Sequence, residues 1–373
     1  MHNRHLHGLV AIGGATSLTL TFFHPALWLA VGAFAGLAAL LLALAVMHER
    51  HAEPPMFFVA LSWCLVAVLL ALAWGASQDL YNYRQVAFLP CGLLFGYLLS
   101  VARAAPFAAW APFCAMALYF TLLGVVGRDP GSAFPRNSEN YLSAVLLALY
   151  ATAILLARPV RIRGTHLALA LWMLVLSVWG TGRSGVLASL FLLLGLAVGW
   201  VLQGRRGISR AVLASLVILV FAGTVAAGAL YMLSHGYLEG FAGRGIRDAP
   251  RLSIIANYFT GIRPDELLFG KNYYHEPFMA KWGFNLHNSY LSAWSHLGLA
   301  YLMLLVAALA TVARGFRRAP VIGLAVIAFS VRAMTDTHLL AGQYDYVLFA
   351  ALFLLLRRRS RPDLTPQPVP SRT

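Results

Sequence analysis

The stretch HNSYLSAWSHLGLAYLMLL, residues His287–Leu305, decides the fold, because it passes from a polar turn directly into a long apolar helix. It closes a segment, about Ser234 to Gly298, that is the only long one neither strongly apolar nor a short basic link. Apolar blocks of about 16–24 residues lie on both sides of that segment. Helices of this length cross a hydrocarbon core of about 30 Å, so the pattern predicts membrane helices around one polar loop.

The composition of the whole chain points the same way. Of its 373 residues, 60% are hydrophobic and 11% are charged, whereas soluble proteins are about half apolar and about a quarter charged. The polar residues Met1–Gly8 resemble the start of a signal peptide, but no cleavage site follows and more spans do, which predicts an uncleaved first helix. Cys64, Cys91 and Cys114 lie in apolar blocks without metal-site spacing, so we expect neither a disulfide nor a zinc site.

The apolar blocks predict twelve spans in one membrane domain, residues 1–361. The spans are 8–23, 25–46, 56–74, 84–102, 106–126, 140–157, 165–180, 183–203, 210–233, 289–312, 320–336 and 344–356. The prediction is therefore an all-α polytopic membrane protein with its large loop, 234–288, between helices 9 and 10. The Pro-rich end, 362–373, is predicted to be a disordered tail.

The charges orient these helices. Segments on one side of the predicted membrane hold 17 Lys+Arg and 3 Asp+Glu, and those on the other side hold 11 and 10. Nearly all of the net charge of +15 is thus an excess on one side, which marks the cytoplasmic side of a membrane protein. Both termini are then cytoplasmic, the 234–288 loop is periplasmic, and the charge predicts membrane lipids and no nucleic acid as partners.

An arginine is predicted at the start of a helix on the outer side. In GTGRSGVLASL, Gly180–Leu190, two glycines permit a turn, and Arg183 lies in the first turn of the next helix. The helix dipole is already positive there, so a cation gains most if an anion binds both the arginine and the free backbone N–H groups. An arginine that extends to the lipid headgroups is the alternative, and the sequence leaves both open.

The stretch DAPRLSIIANYFTGIRPDELLFG, Asp248–Gly270, repeats the arrangement inside the loop. Pro250 suits a first helical turn, and Leu252, Ile255 and Phe259 recur at helical spacing, so Arg251 is predicted at a helix start. A surface ion pair between Arg251 and its neighbour Asp248 is the competing interpretation.

His287 is the third candidate residue. Asn288 or Ser289 can cap the helix that follows, which places His287 at its outer rim. A lone histidine at an interface is usually only solvated, but here it accompanies two arginines that are also predicted at outer helix starts. Together they predict a site for an anionic, phosphate-bearing substrate. The outer acids are isolated or adjacent in sequence, so no metal site is predicted.

Three stretches in this order resemble the O-antigen ligase and polymerase superfamily of bacterial envelope glycosyltransferases. TGRSGVLASLFLLL is similar to its arginine-led helix start, and HNSYLSAWSHLGLAYLMLL is similar to its His-Asn, Leu, Gly signature. APRLSIIANYFTGIRPDELLFGKNYY resembles the family's arginine, helix and "P-x-x-G-x-G"-like loop. Gly270 is followed here by Lys271 and Asn272, so the second glycine is missing.

The resemblance implies a C-type, inverting and metal-independent membrane glycosyltransferase of the bacterial inner membrane, without a cofactor. Family members move a glycan from undecaprenyl diphosphate to an acceptor sugar on the periplasmic side, often that of the lipid A core. Carried over by position, Arg183 and Arg251 bind the diphosphate, and His287 serves the acceptor hydroxyl as a base or by orienting it. Arg247 and Arg84 are weaker candidates for the same pocket.

Other readings stay open. A polymerase of the same superfamily extends the glycan instead, and the modest length with one large outer loop favours the ligase only slightly. Transfer to a protein acceptor is a further reading, although many such enzymes carry a larger soluble C-terminal part. A transporter or flippase also fits twelve helices, but it calls for internal symmetry and ionisable residues at the midplane, whereas the ionisable residues here concentrate in loops and at helix ends.

Overall fold

The structure is a computed structural model. It describes residues 8–16, 62, 65–66, 68–69, 72–73, 83–134, 140–159, 161–180, 182–204, 249–281, 284–316, 319–334, 342 and 344–357. These residues form helices and connecting turns, and no β-strand occurs among them. The all-α prediction is confirmed for this part of the chain.

Eleven α-helices have defined bounds within the described residues. They are α1 (Tyr83–Val101), α2 (Pro106–Val125), α3 (Asn140–Ala157), α4 (Gly164–Trp179), α5 (Arg183–Gly204), α6 (Ala249–Phe259), α7 (Pro264–Phe269), α8 (Pro277–Ala280), α9 (Ser289–Phe316), α10 (Pro320–Ala333) and α11 (Asp345–Arg357). Eight of them begin and end close to eight of the predicted spans, and α6, α7 and α8 lie in the predicted outer loop. The predicted spans 25–46 and 210–233 lie outside the described residues.

Two of the described helices are long and apolar enough to cross a membrane, judged by length and composition: Pro106–Val125 and Ser184–Gln203. The other apolar helices that were predicted as spans are either too short in their described part to cross a membrane or interrupted. The helix α9 is interrupted at Gly298, where the backbone leaves the helical conformation. Fewer spans are therefore recognised in the described part of the chain than the twelve predicted for the whole.

The helix α3 lies at the centre of the bundle. Its residues 142–156 are all buried, which agrees with its sequence, because a helix that is apolar on every side needs neighbours on every side. The helices α1 and α11 run parallel beside it. A Cβ added to Gly92 of α1 would lie 2.8 Å from the Cβ of Asp345, and one added to Gly96 would lie 2.5 Å from that of Phe349. Small residues four apart allow this close approach, as in membrane helix pairs.

The last turns of α1, α3 and α5 lie together at one end of the bundle. Directly after α3, the guanidinium of Arg158 donates from Nη2 to the carbonyl oxygens of Ser100 at 2.5 Å and Ala102 at 2.6 Å. The backbone N–H of Ile162 donates to Oε1 of Gln203 at 2.9 Å, which adds the end of α5. The basic link after α3 thus holds three helix ends together.

The part of the loop that the structure describes has a small hydrophobic core of its own. Its buried members are Ile254, Tyr258, Tyr273, Met279, Leu286 and Leu291. They come from α6, from the segments around α8 and from the first turn of α9. We call the region 249–288 the loop module. The sequence correctly predicted the helix α6, in which Ile254 and Tyr258 are buried whereas Phe259 is 41% exposed.

Candidate functional site

The helix α5 begins at Arg183, as predicted. Its second residue, Ser184, is buried, and its hydroxyl accepts a hydrogen bond from Nη1 of Arg332 in α10. Arg332 lies in the last turn of α10 and is only 3% exposed. The start of α5 is therefore packed against the end of α10. Sequence reasoning did not single out Arg332, although a charged residue inside a predicted apolar span was the signal for it.

The helix α9 begins at Ser289, and Asn288 is its N-cap. The side-chain Oδ1 of Asn288 accepts the backbone N–H of Tyr290 at 2.9 Å and that of Leu291 at 3.1 Å. These bonds satisfy two donors that the first helical turn leaves without an intrahelical partner. The predicted cap is thus confirmed, with Asn288 rather than Ser289 in that role.

His287 lies one residue before this cap, with a left-handed backbone conformation at a φ of 48°. Its backbone N–H donates to Oδ1 of Asn285 at 2.8 Å, so the turn around it is fixed from both sides. A left-handed φ is energetically unfavourable for a residue that has a side chain, although histidine tolerates it better than most. Residues in such conformations concentrate at functional sites. The side chain of His287 is half-buried at the rim of α9, where the sequence predicted it.

The starts of α5 and α9 meet the same turn of α10. The hydroxyl of Tyr290, in the first turn of α9, donates to the carbonyl oxygen of Ser330 at 2.9 Å. Ser330 lies two residues before Arg332, which contacts Ser184 at the start of α5. The helix starts next to Arg183 and His287 therefore contact the same end of α10.

Arg251 is the third residue of α6, close to the helix start as predicted. Ile254, one turn further along α6, belongs to the same core as Leu286 and Leu291, which flank His287 in sequence. The contacts between α6 and α9 lie at the other end of α6, where the rings of Tyr258 and Phe259 lie against that of Trp294. Arg84 is the second residue of α1. Arg247 lies outside the described residues, as does the predicted partner Asp248.

Two glycines from separate sequence stretches lie against each other and attach the loop module to α9. Gly270 has φ 99° and ψ 157°, and Gly298 has φ 63° and ψ −161°, a region that essentially only glycine adopts. A Cβ on Gly298 would lie 2.7 Å from the Cα of Phe269, and one on Gly270 would lie 2.6 Å from the carbonyl oxygen of Trp294. The backbone after α7 therefore fits directly into the interruption of α9.

Lys271 follows Gly270, at the point where the sequence departs from the family's loop, and its side chain makes structural contacts there. Its side chain is buried, and Nζ donates to the carbonyl oxygens of Tyr258 at 3.0 Å and Thr260 at 3.3 Å. It also forms an ion pair with Oε1 of Glu276 at 2.5 Å. A cation stabilises the carbonyl end of a helix, so Lys271 stabilises the end of α6.

The buried tyrosines of the loop module do not supply a base. Burial raises the pKa of Tyr258 to about 12, and it also raises the pKa of Tyr273 well above its ordinary value. Both phenols therefore stay protonated at neutral pH. Imidazole is the side chain that ordinarily exchanges a proton in that range, and His287 is the imidazole that the sequence analysis singled out.

The glycine contact gives a prediction about stability. Gly298→Ala forces a side chain into a glycine-only conformation and against the backbone of Phe269, so we expect a loss well above the roughly 1–2 kcal/mol of the conformational term alone. Gly261→Ala is the matched control, because Gly261 also has a positive φ, 67°, but no atom lies within 4 Å of its added Cβ. Thermal unfolding in detergent measures both variants. Equal losses would mean that the contact between α7 and α9 contributes nothing.

Comparisons with known proteins do not assign this site. No family model matches the chain, and no match was found among curated proteins or among solved structures. Within the described residues, no group of three or more His, Cys, Asp or Glu side chains is placed to hold a metal ion.

Proposed function

We propose that the protein is an O-antigen ligase-like glycosyltransferase of the bacterial inner membrane. It moves a glycan from undecaprenyl diphosphate to an acceptor sugar, such as that of the lipid A core, on the periplasmic face. The observation that carries the proposal is the meeting of the starts of α5 and α9 on one turn of α10. Arg183 and His287 stand at two separate helix starts that both contact the end of α10, which supports one site that uses both residues.

The chemistry follows from these residue types. Arg183 and Arg251 bind the diphosphate, and their planar guanidinium groups suit its oxygens. The acceptor hydroxyl oxygen attacks the anomeric carbon, and the bond from that carbon to the diphosphate oxygen breaks. His287 receives the hydroxyl proton, or it orients the hydroxyl while the proton passes to the departing diphosphate. Undecaprenyl diphosphate leaves with the bonding electrons, so binding its charge stabilises the transition state. No step in this proposal calls for a metal or a cofactor.

The exposed surface of the bundle supports the membrane location. In the most apolar stretch of α2, only 22% of the residues are buried, whereas a core helix of a soluble protein would be mostly buried. Phe107 and Val125, at the two ends of α2, are 88% and 78% exposed. Large apolar side chains that face outward along a whole helix are typical of contact with lipid.

We expect the loop module to lie on the periplasmic side and both termini in the cytoplasm. The charge excess on one side of the predicted membrane supports this orientation. A reporter fused at Tyr273 should report periplasm, and one fused after Arg361 should report cytoplasm. A cytoplasmic signal at Tyr273 contradicts the whole site assignment, because the donor glycan is presented on the other side.

The experiment that tests the function is transfer by the purified protein in detergent. Given a lipid-linked glycan and lipid A core, it should form the capped core, whereas a transporter has no chemical reaction to perform there. Cells without the gene should keep polymer on the lipid carrier and lose the capped core. Single-repeat products in those cells would identify a polymerase instead, and no turnover of the lipid-linked glycan would reject both enzymes.

A further inference from the structure

The last turn of α10 contacts two helix starts that the proposed site uses, and it does so through two separate hydrogen bonds. Arg332 donates from Nη1 to Oγ of Ser184, one residue after Arg183. The carbonyl oxygen of Ser330 accepts from the hydroxyl of Tyr290 at 2.9 Å, three residues after His287. Each bond reaches into a first helical turn, where a small shift moves the preceding residues.

We infer that Arg332 is a positioning residue, which holds the first turn of α5 through Ser184 while Tyr290 and Ser330 hold that of α9. This inference rests on the proposed function. At 3% exposure Arg332 has too little free surface to bind a substrate itself, so it acts through its contact with α5. The last turn of α10 thus sets the distance between the diphosphate-binding arginine and the histidine.

A positioning role for Arg332 has to be distinguished from a purely structural one. A cation in the last turn of a helix is stabilised by the helix dipole, whatever else it contacts. If that were its whole role, replacing it would lower stability and affect every kinetic constant alike. A positioning role instead separates the two sides of the site, because the contacts to α5 and α9 are made by different groups.

The expected kinetic effects therefore differ between the two contacts. Ser184→Ala loosens the start of α5, so the KM for the lipid-linked donor should rise about 10- to 100-fold, a larger change than the accompanying fall in kcat. Tyr290→Phe loosens the start of α9, so kcat should fall by a similar factor with the donor KM kept. Arg332→Lys should recover part of what Arg332→Gln loses, because it keeps a charged donor.

Ser189→Ala is the matched control. Ser189 also lies in α5, and its hydroxyl forms a buried hydrogen bond across to Ser177 of α4 at 3.1 Å, away from the helix start. It should leave both the donor KM and kcat within about twofold of the unchanged protein. A similar loss in Ser189→Ala and Ser184→Ala would overturn the inference, as would equal changes of KM and kcat in Ser184→Ala.

Hydrogen exchange of the amides keeps this test separate from the proposed function. In Arg332→Gln, exchange should quicken in the first two turns of α5 and stay unchanged in α2. Unchanged exchange in α5 overturns the positioning role even if the protein is a transferase. A protein without any transfer activity contradicts the proposed function instead, while the exchange data still decide whether Arg332 holds α5.

Discussion

His287→Ala should abolish detectable glycan transfer and leave binding of the lipid-linked donor nearly intact. The residue lies directly before the capped start of α9, in a turn fixed by the bonds to Asn285 and Asn288. General base catalysis contributes about 10²–10⁴-fold, so its loss should bring turnover close to the background. The arginines hold the diphosphate, and the donor Kd should therefore change little.

The size of the loss separates the two roles that His287 can have. A ring that only orients the acceptor hydroxyl gives a smaller loss, and His287→Gln should then keep much of the activity because an amide still forms a hydrogen bond. If His287 is a true base, His287→Gln should lower turnover about as much as His287→Ala does. Turnover and donor affinity are measured for the same preparations, beside His275→Ala, whose exposed side chain lies in the same loop module.

Either of two results would change the assignment of His287. Normal turnover in His287→Ala would end its role in the reaction. Lost donor binding with intact folding would move the residue into the diphosphate site. A fall in His275→Ala as large as that in His287→Ala would show that the loop module, rather than this ring, is sensitive to substitution.

The helices were predictable because their signal is local. Apolar blocks of sufficient length mark α2 and α5, and the bounds agree within a few residues. The cap of α9 was predictable for the same reason, since Asn288 precedes the apolar stretch and its side chain reaches only two and three residues ahead. Interactions that are made and satisfied within one helical turn leave their pattern in the sequence.

The assembly of the loop module was not predictable, because it depends on contacts between distant residues in uncommon conformations. Gly270 and Gly298 belonged to two motifs that nothing in the sequence connected, and their contact needs a glycine-only backbone at both positions. Lys271 read as a departure from a motif, yet it holds the end of α6. Two of its three partners are backbone carbonyl oxygens, which carry no sequence signal.

Arg332 shows a different limit of prediction from the sequence. Its type and position were visible in the sequence, but a cation near a helix end has an ordinary explanation in the helix dipole. Its proposed positioning role depends on its contact with Ser184, which lies 148 positions away in the chain. Pairing of helices in a bundle cannot be read from apolar blocks that all look alike, so the helix starts could be named while their meeting point could not.

Arg183→Ala and Arg251→Ala should each lower transfer about 30- to 1,000-fold while the protein still inserts and folds. The loss of a charge-assisted contact to a desolvated diphosphate costs on the order of 2–4 kcal/mol, which corresponds to that range. Lysine at either position should recover activity only in part, because an ammonium group lacks the planar fork of the guanidinium. Donor affinity should fall along with turnover, in contrast to His287→Ala.

Arg263→Ala provides the matched control for the arginines. Arg263 lies in the same loop module, but its side chain is 54% exposed and pairs with Asp265 at 3.3 Å and Glu266 at 3.5 Å. Exposed ion pairs contribute about 0–1 kcal/mol, so this variant should transfer glycan almost normally. If Arg183→Ala also kept near-normal turnover, that residue would be one that only reaches the lipid headgroups. The same result for Arg251→Ala would favour its ion pair with Asp248, and a selective loss in both variants would tie the outer helix starts to the diphosphate.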